Sequence, residues 1–187
     1  SRINNIKILK NEKGTYVGQT LKELKDGVGT YFLNNCERYE GEFKNDKMEG
    51  KGIYYYNSDI RYEGEFKKNI KEGKGILYFN NKIIFDGYFR NNTKEGKGIF
   101  YIDNDLRYEG DFKNNEMEGK GILYINNTMT YNGDFRKGVQ EGEGIYYFKN
   151  GDRYEGCFKD GLLDGKGIYY FKNGNKYEGF FKKGKKD

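Results

Sequence analysis

The sequence predicts an all-β fold: a single-layer antiparallel array of β-hairpin repeats that is elongated and curved. The first observation is a phrase, Tyr-Glu-Gly-x-Phe or a close variant, that returns every 23 residues without an insertion. Its eight copies begin at Tyr16, Tyr39, Tyr62, Phe85, Tyr108, Tyr131, Tyr154 and Tyr177. The second is a phrase of the type Glu-Gly-Lys-Gly-Ile, which follows in step. A fixed period of this length indicates stacked units that cannot bury their apolar face alone.

Residues 38–60 serve as the reference repeat for the predicted elements. Apolar and polar residues alternate over 38–44, which is the pattern of a strand. Residues 45–49 are polar and predict a turn, and residues 50–56 are rich in β-formers and predict the second strand. A second turn follows at 57–59, where later units carry Asn-Gly, a strong hairpin signal. No segment has a sustained helical period, so we expect no substantial helix.

The copies can be compared with each other to predict which side chains share a face. Five columns hardly vary, and in the reference repeat they are Tyr39, Gly41, Phe43, Ile53 and Tyr55. If Gly41 lies opposite Ile53, all five columns share one face, and the glycine leaves room for neighbouring rings. We expect this face to hold the units together. A slip of one residue would move the second strand's set to the other face.

The opposite face is expected to combine charged residues, such as Arg38 and Glu40, with two variable apolar columns that begin at Tyr54 and Tyr56. Variable apolar groups beside charges are typical of a surface that binds a partner peptide. The alternative is that these rings close a second thin core. The predicted groove residues are Tyr54, Tyr56, Leu77, Phe79, Phe100, Ile102, Leu123, Ile125, Tyr146, Phe148, Tyr169 and Phe171.

Three segments are expected along the chain. Residues 1–15 resemble the decayed end of a preceding unit, with Ile8 and Leu9 at its apolar columns, and predict a degenerate N-terminal cap strand. Residues 16–181 hold the eight repeats, of which the last is incomplete. Residues 182–187 form a basic tail.

The C-terminal end of the array predicts an open edge. Phe180 stands where most units have an acidic residue, so Phe180 and Phe181 are expected side by side on an unpaired strand. Open apolar edges invite pairing with another chain. The interpretation is a homodimer through this edge, or a natural protein that continues beyond it.

Composition argues against several classes of function. The net charge is +5, from 34 basic and 29 acidic residues with interspersed signs, which disfavours a nucleic-acid partner. There is no histidine, and Cys36 and Cys157 occupy unrelated repeat positions, so we expect free thiols and no metal site. Gly-Lys-Gly lacks the spacing of a phosphate-binding loop, and the repeated carboxylates indicate a solvated ladder. We therefore predict no enzyme, no catalytic residues and no cofactor.

A membrane surface is the alternative partner. Anionic lipid would be bound by lysine-rich turns and by the basic tail. The tail residues concerned are Lys182, Lys183, Lys185 and Lys186.

Eight in-register copies of these phrases resemble the MORN repeat (membrane occupation and recognition nexus). The resemblance covers about residues 16–181. Family members often have Trp where this chain has Phe43, and the first copy departs further, with Thr20 and Thr30 at two of its columns. The resemblance implies a single-layer β array curved into a groove, and an adaptor that binds partner peptides, dimerises or associates with membranes.

The same resemblance implies where the protein acts. Junctophilins, phosphatidylinositol phosphate kinases and ciliary and cytoskeletal scaffolds carry such repeats, and catalysis there belongs to other domains. We expect a cytoplasmic scaffold that is associated with the cytoskeleton or with a membrane. A regulatory segment of a larger enzyme is a further alternative.

Overall fold

The computed structural model describes residues 5–186, and within them every regular element is a β-strand. The chain divides into an N-terminal unit, residues 1–93, and a C-terminal unit, residues 94–187. The N-terminal unit contains β1 (Asn5–Asn11), β2 (Gly14–Leu21), β3 (Leu24–Leu33), β4 (Arg38–Lys44), β5 (Lys47–Tyr55), β6 (Ile60–Lys67), β7 (Ile70–Phe79) and β8 (Lys82–Arg90). Strand β9 (Thr93–Tyr101) begins at the last residue of the N-terminal unit, and the rest of it belongs to the C-terminal unit. The C-terminal unit also contains β10 (Leu106–Lys113), β11 (Glu116–Ile125), β12 (Thr128–Arg136), β13 (Val139–Tyr147), β14 (Arg153–Lys159), β15 (Leu162–Tyr170), β16 (Lys176–Lys182) and β17 (Lys185–Lys186).

Within each unit, strands that follow each other in sequence pair in antiparallel fashion, as the hairpin pattern predicts. The all-β array of hairpin repeats is therefore confirmed. No helix occurs among residues 5–186.

The predicted register is wrong by one residue. Gly41 lies opposite Gly52 and not opposite Ile53, and Tyr39 lies opposite Tyr54. One side of the sheet, here called the ring face, therefore carries the Tyr39, Gly41, Phe43, Gly52 and Tyr54 columns.

The other side, here called the charged face, carries the Arg38, Glu40, Ile53 and Tyr55 columns, because side chains alternate along each strand. The Ile53 and Tyr55 columns thus belong to this face and not to the ring face. The columns of the first strand, Tyr39, Gly41 and Phe43, share one face as the sequence pattern predicted.

Two local features set this register. The turn is Asn45-Asp46 alone, with φ of 47° and 67°, and not the five polar residues 45–49. Positive φ at both central residues defines the two-residue turn that matches strand twist. Strand β5 then bulges at Gly50, whose φ of 68° favours glycine.

The core is a row of aromatic rings on the ring face. Tyr39 is fully buried and packs edge-on against Phe43 of its own repeat at 5.1 Å between ring centroids. It packs equally against Phe66 of the next repeat, at 5.0 Å. Each ring thus joins two repeats, and aromatic rings supply most of the buried apolar surface. The same contacts recur along the C-terminal unit, between Tyr108, Tyr131, Tyr154 and the phenylalanines of their own and following repeats.

The paired glycines make room for these rings. The Tyr39 ring lies over Gly41 and Gly52, where an added Cβ would come within 2.6 Å and 2.3 Å of the Tyr39 hydroxyl oxygen. That hydroxyl donates to the carbonyl oxygen of Glu42 at 3.0 Å. The Glu42 carboxylate in turn accepts the N–H of Lys51, just after the bulge, at 2.9 Å.

The tight turns of successive repeats are linked to each other. The N–H of Lys68 donates to the Glu49 carboxylate of the preceding repeat at 2.9 Å, and the N–H of Met48 donates to the Asn69 side chain at 2.8 Å. The acid that precedes each bulge therefore satisfies a turn N–H. Including Glu49, seven acids in this position accept such a bond: Asp26, Glu49, Glu72, Glu95, Glu118, Glu141 and Asp164.

Strand β1 pairs with β2 in a register that differs from the repeats. Ile8 lies opposite Val17 and Leu9 opposite Tyr16, so Ile8 is on the charged face and is 65% exposed. The expected columns are therefore wrong by one residue: Leu9 takes the position of the Tyr54 column and Ile8 that of the Ile53 column. Residues 1–4 lie outside the described part of the chain.

Candidate interaction surface

The predicted groove columns lie on the ring face, beside the buried rings and away from the charged columns expected to flank them. Tyr54, for example, lies between Tyr39 and Tyr62 on the neighbouring strands. Its ring and that of Tyr56 are half-buried, with centroids 4.8 Å apart. These side chains form the accessible border of the core, which is the part of the ring face that a partner can contact.

The C-terminal unit brings four predicted groove residues into one row. Centroid distances are 4.8 Å from Tyr146 to Phe148, 5.3 Å from Phe148 to Tyr169 and 4.9 Å from Tyr169 to Phe171. The Tyr169 hydroxyl donates to the Asp152 carboxylate at 2.8 Å. Desolvation, reinforced by this carboxylate, raises the pKa of Tyr169 to about 12.

Burial and this hydrogen bond therefore favour the neutral form of the Tyr169 phenol. The pKa of Asp152 is lowered, chiefly by the N–H of Lys172 and then by the Tyr169 hydroxyl, so the carboxylate stays ionised. This is a preformed half-buried surface of the kind that supplies binding energy at interfaces.

The other predicted groove residues are dispersed. Phe79 and Ile102 are exposed, and Phe100 lies under the ammonium of Lys94 at 4.3 Å from its ring centroid. Leu77 and Leu123 are half-buried opposite core rings, and Ile125 is half-buried at the end of β11.

The N-terminal unit holds an open cleft of about 740 Å³ on its ring face. Tyr31, Met48, Tyr54 and Lys25 contribute to its lining. The Tyr54 hydroxyl donates to the Glu37 carboxylate, and burial raises the pKa of this tyrosine.

Sequence reasoning missed the lysines of the ring face. Lys25 is only 8% exposed, and its ammonium lies 4.2 Å from the Tyr31 ring centroid. Burial lowers its pKa, more than the nearby Asp46 raises it. The available signal was the second position of each second strand, where some copies have lysine and others have methionine or leucine.

The charged face has a different organisation. The Arg61 guanidinium carbon stacks 3.9 Å from the Tyr78 ring centroid and its Nε contacts the Glu63 carboxylate at 2.7 Å. The same trio recurs at Arg107, with Tyr124 and Glu109. The Tyr55 column thus serves as a support for arginine. Cross-strand pairs of lysine and acid also occur on this face, as at Lys97–Asp111 and Lys120–Asp134.

The structure separates the two predicted edge phenylalanines. Phe181 is buried against Tyr154 and Tyr177, whereas Phe180 is on the charged face and 63% exposed. Of these two rings, only that of Phe180 is available to a second chain.

The basic residues near the end belong to a short hairpin. Lys182 closes β16, Lys183 lies in the turn, and Lys185 and Lys186 form β17. The Lys186 ammonium lies 4.3 Å from the Phe171 ring centroid, so it contributes to the ring face. Residue 187 lies outside the described residues.

Within residues 5–186 no three His, Cys, Asp or Glu side chains cluster as metal ligands would. Cys36, in a turn, and Cys157, in β14, are free thiols. The same part of the chain contains no helix of the length and apolarity needed to span a bilayer.

A family model described as MORN repeat matches seven segments of this chain, at residues 39–60, 62–82, 85–107, 108–129, 131–153, 154–176 and 177–187. The copy that begins at Tyr16 lies outside these segments but has the same geometry. Its tyrosine hydroxyl donates to the Gln19 carbonyl at 2.6 Å, and Gly18 pairs with Gly29. A comparison with curated proteins finds no significant match.

Proposed function

Because this chain belongs to the MORN repeat family, we propose that it is a non-catalytic scaffold whose ring face binds a segment of a partner protein. The observation that carries the proposal is the half-buried aromatic row Tyr146, Phe148, Tyr169 and Phe171. Large rigid rings that are already packed lose little entropy on binding, and they dominate the energetics of interfaces. A cytoplasmic site, near the cytoskeleton or a membrane, is part of the same proposal.

The groove is tested by capture of partners from cell extract, followed by binding of the purified partner. The ring-face variant replaces Phe100, Phe148 and Phe171 with Asp. The control is Tyr88→Asp, which changes an aromatic ring that is 51% exposed on the charged face. We expect the triple variant to lose partners that the control retains.

Circular dichroism establishes that both variants keep their strands. Retention of every partner by a folded triple variant would show that the ring face is not the binding surface.

An anionic membrane surface is the second candidate, and one observation favours it. In seven consecutive repeats the residue that follows the core phenylalanine is basic and exposed. These residues are Lys44, Lys67, Arg90, Lys113, Arg136, Lys159 and Lys182. Within either unit, such basic residues on successive repeats attract anionic lipid by roughly 1 kcal/mol per residue at the surface.

Sedimentation with phosphatidylserine vesicles tests this candidate. We expect pelleting at low salt that disappears at high salt and in a variant with Lys113, Arg136 and Lys159 changed to Glu. Absence of pelleting at low salt eliminates a lipid partner.

We also propose that the exposed Phe180 mediates homodimer formation. Light scattering of the wild type and of Phe180→Glu measures this. Equal masses for the two proteins would refute the proposed contact.

A further inference from the structure

One column of the ring face combines lysine with methionine, leucine and glutamine. It is the second position of each second strand, and in the N-terminal unit it is occupied by Lys25, Met48 and Lys71. Met48 lies opposite Phe43 and Lys71 opposite Phe66, so the column runs along the border of the core.

Lys25 is buried, and the charge of nearby Asp46 offsets only part of the cost of that burial. It lines the cleft, and its ammonium, which faces the Tyr31 ring, forms no ion pair with any described residue. Glu12 and Asp46 also line the cleft, but Asp46 already accepts the main-chain N–H of Lys25 at 2.9 Å. Lysine is seldom this buried unless it is paired, because desolvation of the charge is costly.

Lys71 lies in the same column two repeats further along and is half-buried. Its ammonium donates to the Tyr56 hydroxyl at 2.8 Å and lies within 5.6 Å of three ring centroids, again without an ion pair to a described residue. Four strand spacings separate Lys25 from Lys71, which is about 19 Å. Met48 lies midway between them.

We propose that Lys25 and Lys71 bind two acidic side chains of a partner α-helix, whose apolar residue packs on Met48. The proposal rests on the ring-face function above and specifies the chemistry of the partner. One repeat advances about 9.6 Å, and seven residues of a helix advance about 10.5 Å and return to the same side. Six residues of an extended strand also span about 20 Å and return to the same side, but the strand's midpoint, three residues along, faces the other way, so a strand cannot reach both lysines and Met48.

The probe is a synthetic, fluorescein-labelled helical peptide of about 22 residues, with Glu at two positions fourteen residues apart and Leu midway, in an Ala/Gln background. A second peptide carries Gln in place of both Glu residues. We expect the full chain to bind the Glu peptide at least about tenfold more tightly than the Gln peptide, since each lysine adds a charge-assisted contact. Fluorescence anisotropy measures both affinities.

The decisive variant is Lys25→Met, which places in the first repeat the residue that the same column has at Met48 and Met117. We expect it to remove most of the preference for the Glu peptide while the midpoint of urea unfolding stays equal or rises, because a desolvated charge is removed. Lys25→Gln, which introduces the residue type that Gln140 supplies in the same column, provides a second folded variant. Lys74→Met, on the charged face, should leave the preference unchanged.

Equal binding of the two peptides by the wild type, or an unchanged preference in both folded Lys25 variants, overturns the inference. Failure of the groove itself is distinguishable. If the wild type ignores the peptide but the triple Asp variant loses cellular partners, only the acidic-helix partner is refuted. If the triple variant keeps its partners, the ring-face function is refuted.

Discussion

The two faces of the sheet use the same residue type for different purposes, and adjacent tyrosines show it. Tyr54, on the ring face, borders a core in which Tyr39 and its equivalents are fully buried between phenylalanines. Tyr55, on the charged face, lies under the Arg38 guanidinium at 4.1 Å from its ring centroid. Cohesion between repeats therefore comes from the ring face, and the charged face contributes solvated contacts that are individually weak.

The largest expected effect is a loss of folding stability at alkaline pH, which depends on the buried tyrosines of the ring face. Burial raises the pKa of Tyr16 and Tyr154 to about 12, from the ordinary value near 10. A raised pKa in the folded state means that the stabilisation is complete below pH 10 and is lost as pH rises towards 12. Each such tyrosine costs about 1.4 kcal/mol per pH unit over that range, so several together should unfold the array.

The measurement is a titration that follows tyrosinate absorbance and far-UV circular dichroism together. We expect exposed tyrosines to ionise first, and the ionisation of the buried tyrosines of the ring face to coincide with the loss of the strand signal as pH rises towards 12. Full ionisation of the tyrosines with the strand signal intact would contradict the role assigned to the ring face.

Removal of one ring from each face gives the next largest contrast. Phe66→Ala should lower the free energy of unfolding by about 3–5 kcal/mol, because Phe66 packs against both Tyr39 and Tyr62. Tyr78→Ala, on the charged face of the same unit, should cost about 1 kcal/mol through the loss of its contact with Arg61. Urea unfolding of the two variants measures the difference, and equal losses would show that both faces hold the repeats.

The glycines beneath the rings provide a smaller effect. Gly41→Ala should destabilise by about 1–3 kcal/mol, since its Cβ would lie 2.5 Å from Gly52 Cα and 2.6 Å from the Lys51 carbonyl oxygen. Thermal unfolding measures it. The control Gly174→Ala meets no atom within 4 Å and carries only the cost of a positive φ, about 1–2 kcal/mol. If Gly41→Ala destabilises the protein less than Gly174→Ala does, the neighbouring backbone does not crowd a side chain at position 41.

These contrasts also show what the sequence could predict. The 23-residue period, the strands and the role of Gly41 follow from repetition, because eight copies reveal which columns tolerate no change. The pairing of Gly41 with Gly52 did not follow, because five polar residues suggested a long turn. In the structure, the positive φ of Asn45 and Asp46 limits the turn to two residues, and the bulge at Gly50 shifts the pairing of the second strand.

The surface was harder to predict than the fold for the same reason. Once the register shifts, Tyr54 and Tyr56 move beside the core and the Tyr55 column moves beside arginine. Lys25 was inconspicuous because lysine in a strand normally indicates solvent, and its burial depends on the cleft that the neighbouring turn and Tyr31 create.

The weakest expected effect tests whether the charged face depends on guanidinium shape or only on charge. Arg107→Lys keeps the charge beside Glu109 but removes the planar group that stacks at 4.0 Å on the Tyr124 ring centroid. We expect a loss of about 0.5 kcal/mol in urea unfolding, because such contacts are small when solvated. Glu109→Gln, which leaves the stack in place, should lose its effect at high salt, whereas the effect of Arg107→Lys should persist. If the destabilisation by both variants disappears at high salt, only charge stabilises these contacts, and stacking of the guanidinium on Tyr124 contributes nothing measurable.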